Sequence, residues 1–375
     1  MIFNVEVEIM EGQYTQHAAS TQLEALSSDE HLKTKKSILP LLSYPGYSIA
    51  YLEDRPGEGT VGLHIKLGAD NSTVYGLTCR HAVRGGRAKH ESYKPSAHDR
   101  QYHISGSQGH LGDLQYDLYL RLKSANIDLK WQQGPIDKWE TCYKNYNPKN
   151  VSPPTEKDFL NLKKIKDSIE HDNLVKEALE KIDDRKERQI GHLAYYPGCS
   201  ISSRQPGYLR DWALVELDVR KFTLPPANKI FLGSPSVKYD ELRLGLTSEP
   251  YTRVMPMCVS KIGQKSGLTD GIISGIEAVV RRPCRDGAVE YSWEMLIVPE
   301  NGASYFSEVG DSGSAVFNKK GQVVAIVTAS NKGQGIAPQD ADETIPRGTD
   351  VTFATPIQWV LDDIEDFTGQ RPWLV

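Results

Sequence analysis

Cysteine is scarce and unpatterned: Cys79, Cys142, Cys199, Cys258 and Cys284 are an odd number, widely scattered among 375 residues, with no Cys-x-x-Cys pair. This argues against a disulfide framework and a cysteine-ligated zinc site, and points to reduced thiols in a cytosolic or nuclear setting. In that setting the sequon Asn71-Ser72-Thr73 goes unglycosylated. No apolar run approaches the roughly 20 residues that span a bilayer, so no membrane partner is expected. Met1-Ile2-Phe3-Asn4-Val5-Glu6-Val7-Glu8 has neither a basic segment nor an uninterrupted apolar one, and reads as no secretory signal. Positive charge is short as well: 44 Lys and Arg against 49 Asp and Glu give a net charge of -5. Without a basic stripe, a nucleic-acid partner is not expected. The expected location is the cytoplasm, with the nucleus open.

The chain does carry a serine set among glycines. Glu308-Val309-Gly310-Asp311-Ser312-Gly313-Ser314-Ala315-Val316-Phe317 ends in a strand-like apolar run. A serine hydroxyl is a poor nucleophile at its ordinary pKa; it needs a neighbouring base, and donors for the oxyanion formed when it attacks a carbonyl. Gly310 and Gly313 lack side chains, so a carbonyl can approach the N–H groups of Gly310 and Ser312. A turn serine in a glycine-rich loop is the other reading of Ser312. For the base, Leu77-Thr78-Cys79-Arg80-His81-Ala82-Val83 offers His81, which closes the segment Val74 to Leu77. His64, His90, His103 and His110 lack that setting, and a core histidine bonded to a carbonyl is the competing reading of His81. For an orienting acid, Asp211 leads directly into Trp212-Ala213-Leu214-Val215-Glu216-Leu217, while Asp117 also opens an apolar run, Leu118 to Leu122, nearer to His81.

The order His, Asp, Ser, with the contexts TCRHAV, DWALVEL and GDSGSAVF, resembles the chymotrypsin-like serine peptidases. The stretch Lys261 to Ile273 is similar to a Gly-Arg-Thr-Thr-Gly…Gly motif in the second barrel of bacterial members. RQIGHLAYYP and DWALVELD resemble a group of fungal trypsin-like proteins, and DWAL favours Asp211 over Asp117. The resemblance implies a mainly β chain of two six-stranded antiparallel barrels, a C-terminal helix, and a triad of His81, Asp211 and Ser312. It implies an oxyanion hole at Gly310 and Ser312, and an Asp311 that pairs with a buried cation. Phe306 is implied at the floor of the substrate pocket, with Thr328, Ala329 and Ser330 along one wall and Thr328 bonded to the triad aspartate. A phenyl floor is apolar, unlike the aspartate that reads Lys or Arg; Glu308 is the only nearby acid besides Asp311. The implied partner is a protein or peptide substrate, and no cofactor or metal is required. Two features depart from the family. Ala82 stands where a disulfide cysteine usually follows the histidine, and no Ile-Val-Gly-Gly-like segment is available to pair with Asp311 after cleavage.

The organisation follows from texture. Residues 1–45 read as an N-terminal extension, 46–225 as a first barrel, 226–354 as a second and 355–375 as a C-terminal helix and tail. Tyr47 to Leu52, Val61 to Leu67, Val74 to Thr78 and Gln115 to Leu122 are expected as strands. Residues 131–190 read as an insertion in the first barrel. Within it, Phe159, Leu162, Ile165, Ile169, Val175, Leu179 and Ile182 recur at helical spacing after Thr155-Glu156. That helix, over 155–189, either packs on the barrel wall or serves as an arm for a protein partner or self-association. Thr355 and Pro356 are expected to cap a last helix with Ile357, Val360, Leu361 and Ile364 on one face. Two functions fit the whole: an intracellular serine endopeptidase, or a catalytically silent protein of the same fold that binds partners through its inserted helix.

Overall fold

The computed structural model describes residues 15–16, 44–51, 57–69, 72–84, 92–94, 102–104, 108–144, 153–181, 189–204, 207–222, 225–231, 239–244, 256–283, 289–300, 303–331 and 350–375. The expected extension over 1–45 therefore lies outside the described residues except for positions 15, 16, 44 and 45. The first half holds β1 (Thr15–Gln16), β2 (Tyr47–Tyr51), β3 (Glu58–Val61), β4 (Leu63–Leu67), β5 (Tyr75–Cys79), α1 (Arg80–Arg84), β6 (Tyr102–Ile104), α2 (Gln108–Lys144) and α3 (Glu156–Lys181). There follow β7 (Gln189–Tyr195), β8 (Trp212–Leu217), β9 (Lys229–Phe231), β10 (Tyr239–Glu241) and β11 (Arg243–Leu244). The last stretch holds β12 (Met257–Gly263), β13 (Gly267–Pro283), β14 (Val289–Pro299), β15 (Ala315–Asn318), β16 (Gln322–Asn331), β17 (Val351–Pro356), α4 (Ile357–Thr368) and β18 (Pro372–Leu374).

The first sheet runs β18-β4-β5-β8-β7-β6-β2-β3. As a path of paired strands it is open, ending in β18 and β3, and β3 and β4 are successive halves of one strand bent at Gly62. Only glycine fits that bend: a Cβ there would lie 2.0 Å from the Gly313 carbonyl oxygen and 2.6 Å from the Ala315 nitrogen. In the second sheet the pairing returns on itself, β12-β13-β14-β17-β16-β15 and back to β12, all antiparallel. The architecture is thus the expected class: mainly β, two eight-stranded and chiefly antiparallel sheets, the second built on a ring of six strands, with a helical insertion between β6 and β7 and a C-terminal helix.

Two apolar clusters fill the units, one around Ile49, Val61, Leu193 and Val215, the other around Val259, Ile297, Val316 and Val327. A third joins them, where Leu63, Leu77 and Trp212 meet Ile262, Phe317, Ile326 and Trp359. α4 docks there through Ile357, Val360, Leu361 and Ile364, the face expected from the sequence. Its cap differs from expectation. β17 continues through Pro356, which stands at the N-cap without a side-chain bond, while Gly369 closes the other end at φ 75°.

Residues 108–188 form a compact unit of their own. Residues 115–122, expected as a strand, lie inside the 37-residue helix α2, which continues through Pro135. α3 packs on α2, with Leu118, Ile136 and Leu162 buried and Arg121 paired to the buried Asp172. At the start of α3 the Asp158 carboxylate accepts from the N–H and hydroxyl of Thr155, both at 2.7 Å, closing a capping turn.

Candidate active site

β5 and β8 pair antiparallel with Cys79 opposite Trp212, so the residues just after one strand and just before the other emerge at the same end. His81 and Asp211 meet there. The Asp211 carboxylate accepts from His81 N–H at 3.0 Å and from His81 Nδ1 at 2.5 Å. An ionised carboxylate only accepts, so Nδ1 carries a proton and Nε2 is left to face Ser312. Ser312 Oγ lies 2.9 Å from that Nε2 and 3.2 Å from the Thr328 carbonyl oxygen. Burial pushes the Asp211 pKa upward, but the His81 charge and bonds, aided by the nearby Arg80 guanidinium, hold it below the ordinary carboxylate value. α4 fixes the neighbours of Asp211, since the Asp363 carboxylate accepts from Trp212 Nε1 at 2.7 Å and Arg210 Nε at 2.9 Å. Asp117 falls within α2.

The serine loop is stitched to both units. Thr60 N–H donates to the Ser312 carbonyl at 2.8 Å, Thr60 Oγ1 to the Gly310 carbonyl at 3.0 Å, and Gly313 N–H to the Val327 carbonyl at 2.8 Å. Gly310 and Gly313 adopt φ of 109° and 93°, which side chains resist. A Cβ at Gly313 would also meet the Thr60 carbonyl oxygen at 2.3 Å. Asp311 points inward from this loop and pairs with Lys261 Nζ at 3.1 Å, both side chains fully buried. Ser266 Oγ and the N–H groups of Lys265, Ser266 and Glu308 donate to the same carboxylate. Burial opposes the charge, yet these partners bring the Asp311 pKa below its ordinary value. Lys261 and Ser266 were not assigned a role from sequence. The available signal was a lysine on the inward register of β12, shared with the buried Val259.

Phe306 is fully buried in the second unit's core cluster beside Ile273 and Val316, and its carbonyl accepts from Thr269 Oγ1 at 2.6 Å. Ala329, Ser330 and Thr328 follow one another along β16, all buried. Thr328 Oγ1 donates to the Phe353 carbonyl at 3.2 Å, so the bond to Asp211 implied by resemblance is not made. A β-bulge between Val327 and Ala329 re-aims this side chain. The Ser307 and Thr352 hydroxyls, 2.7 Å apart and buried, were not foreseen. Donor atoms of Cys79, His81 and Asp211 lie within 4.8 Å of one another. Thiol, imidazole and carboxylate suit zinc, but here Cys79 Sγ bonds the Val327 carbonyl at 3.2 Å and burial pushes its pKa well up. Nδ1 is engaged by Asp211, and the Cys79 thiol is engaged separately by the Val327 carbonyl.

No family model and no curated protein matches the chain. Among solved structures, it is similar to a glutamic acid specific serine protease described as using a histidine triad in substrate binding, at 10% identity and TM-score 0.37, over 88% of this chain and 100% of that one. A Nocardiopsis protease matches at 12% identity and TM-score 0.36, over 88% and 97%. A Cellulomonas bogoriensis chymotrypsin matches at 16% identity and TM-score 0.28, over 50% and 80%. Scores this low leave the chemistry to be read from the site itself.

Proposed function

We propose that this protein is a serine endopeptidase. The observation that carries the reading is the unbroken chain Ser312 Oγ, His81 Nε2, His81 Nδ1, Asp211 Oδ2, with links of 2.9 and 2.5 Å across separate strands. His81 takes the Ser312 proton as Oγ attacks the scissile carbonyl, and Asp211 holds the tautomer and answers the imidazolium charge. The N–H groups of Gly310 and Ser312 receive the oxyanion. His81 then hands the proton to the leaving amine, and water, deprotonated by His81, hydrolyses the acyl-enzyme. Phe306, Thr328, Ala329 and Ser330 are proposed to border the pocket, and no cofactor enters. The likeness of RQIGHLAYYP and DWALVELD to the fungal group, together with the odd, scattered set of five cysteines, supports an intracellular, cytoplasmic enzyme. A fluorophosphonate probe should label Ser312, and Ser312→Ala should lose labelling and peptide hydrolysis by several orders of magnitude; labelling that persists in that variant ends the reading.

A second reading, a partner-binding role for the inserted helices, is favoured by exposed aromatic residues there, with Trp131 at 76% and Tyr143 at 66% exposure. It is compatible with catalysis. Pull-down or a change in oligomer size lost on replacing 155–189 would support it.

A further inference from the structure

β16 has two edges. β17 takes one along Ala329 and Ser330, opposite Phe353 and Thr352. β15 takes the other only as far as Ile326, and the serine loop continues it, with Gly313 N–H on the Val327 carbonyl and Val327 N–H on the Ser314 carbonyl. Beyond that point the edge of Ala329 and Ser330 lies in line with Ser312, whose hydroxyl reaches the Thr328 carbonyl. Thr15 and Gln16 occupy this edge, antiparallel, Thr15 opposite Ser330 and Gln16 opposite Ala329. An antiparallel strand in that register advances toward Thr328, and so toward the nucleophile.

An extended peptide presenting its carbonyl to Ser312 needs the same edge, because main-chain pairing to an open strand is the sequence-independent way to hold a peptide. Substrate and Thr15–Gln16 cannot both be paired there. We propose that the strand Thr15–Gln16 is autoinhibitory, occupying in cis the peptide-docking edge of β16 beside Ser312. The inference rests on the endopeptidase reading. Tethering favours the segment: a linked competitor acts at an effective concentration of about millimolar, so a free peptide must outcompete it. Ser312 and His81 are buried, at 0% and 3% exposure.

The test compares the full chain, a truncation lacking residues 1–20, and the full chain carrying Thr15→Pro with Gln16→Pro. Proline donates no N–H and breaks strand pairing without shortening the chain. The readouts are the second-order rate of fluorophosphonate labelling and kcat/KM on a peptide ester. Truncation and the proline pair should each raise both by at least about tenfold, and a synthetic peptide of residues 11–20 should slow the truncated enzyme competitively. Equal labelling of all three proteins overturns the inference and leaves the endopeptidase reading standing. No labelling of any form overturns the endopeptidase reading, and this inference with it. If truncation prevents folding, the proline pair decides alone.

Discussion

Lys261 has no contact with solvent; burial pulls its pKa down, and the Asp311 carboxylate opposite is the main group that resists this. Lys261→Met should therefore leave the buried Asp311 carboxylate without its cationic partner, answered only by the Ser266 hydroxyl and three N–H groups, at a cost of about 3–5 kcal/mol. Urea unfolding would report the stability loss, and a slower probe reaction would report the loosened serine loop. His64 gives a separate test. Burial lowers its pKa from 6.5 to about 4, so between those values the unfolded chain takes up a proton that the folded chain refuses. Its contribution is complete above pH 6.5 and drains away as the pH falls to about 4, by about 3 kcal/mol in all. Asp211 and Asp311, with folded values below 3.8, add their own loss at the acid end of that window, so the His64 contribution is read from the difference between wild type and His64→Gln. Urea midpoints measured from pH 7 to 4 should fall in the wild type and stay flatter in His64→Gln. At this scale His81, Asp211 and Ser312 were legible because each stands at a strand end or in a glycine loop with its own local context. Lys261 was not, because its partner is remote in sequence, and the bulge that turns Thr328 toward Phe353 leaves no mark in composition.

The bent strand β3–β4 is the element on which the site depends, since it pairs β2 with its first half, β5 with its second, and touches the serine loop at the bend. Gly62→Ala should be severely destabilising, because the added methyl meets backbone atoms that cannot rotate away. Soluble yield and the denaturation midpoint would register it, whereas Gly134→Ala, where a Cβ meets nothing within 4 Å, should be neutral or mildly stabilising. Strands bounded by Gly, Asn and Asp clusters could be read from sequence because alternation and turn residues agreed. α2 could not. Gly134-Pro135 punctuates it like a loop, and the short apolar alternation of Leu118, Leu120 and Leu122 mimics a strand. Packing against α3 is what overrides those local signals.

For the molecule as a whole, the pairing of Ile104 with Gln189 means that the insertion leaves and rejoins the sheet at adjacent points. A short Gly/Ser turn in place of residues 105–188 should thus close a simple β-hairpin, keeping the melting temperature of the β units and the peptide-ester activity within about twofold. A joint fall in both would make the helices a buttress, the wall-packing option left open by the sequence. The same geometry also bears on how quickly the chain can reach its native state. Ile104 and Gln189 are 85 positions apart (189 − 104), a wide gap for an unstructured chain to close before β6 can find β7. Two adjacent helices form from contacts near in sequence and on a microsecond scale. Once zipped, they leave only their short flanks to be closed, sparing about 2–3 kcal/mol of chain entropy in the search. A variant with α2 interrupted by a further proline should then refold at least about tenfold more slowly than either the intact chain or the one with the short turn, the result expected if the insertion acts as a folding clamp.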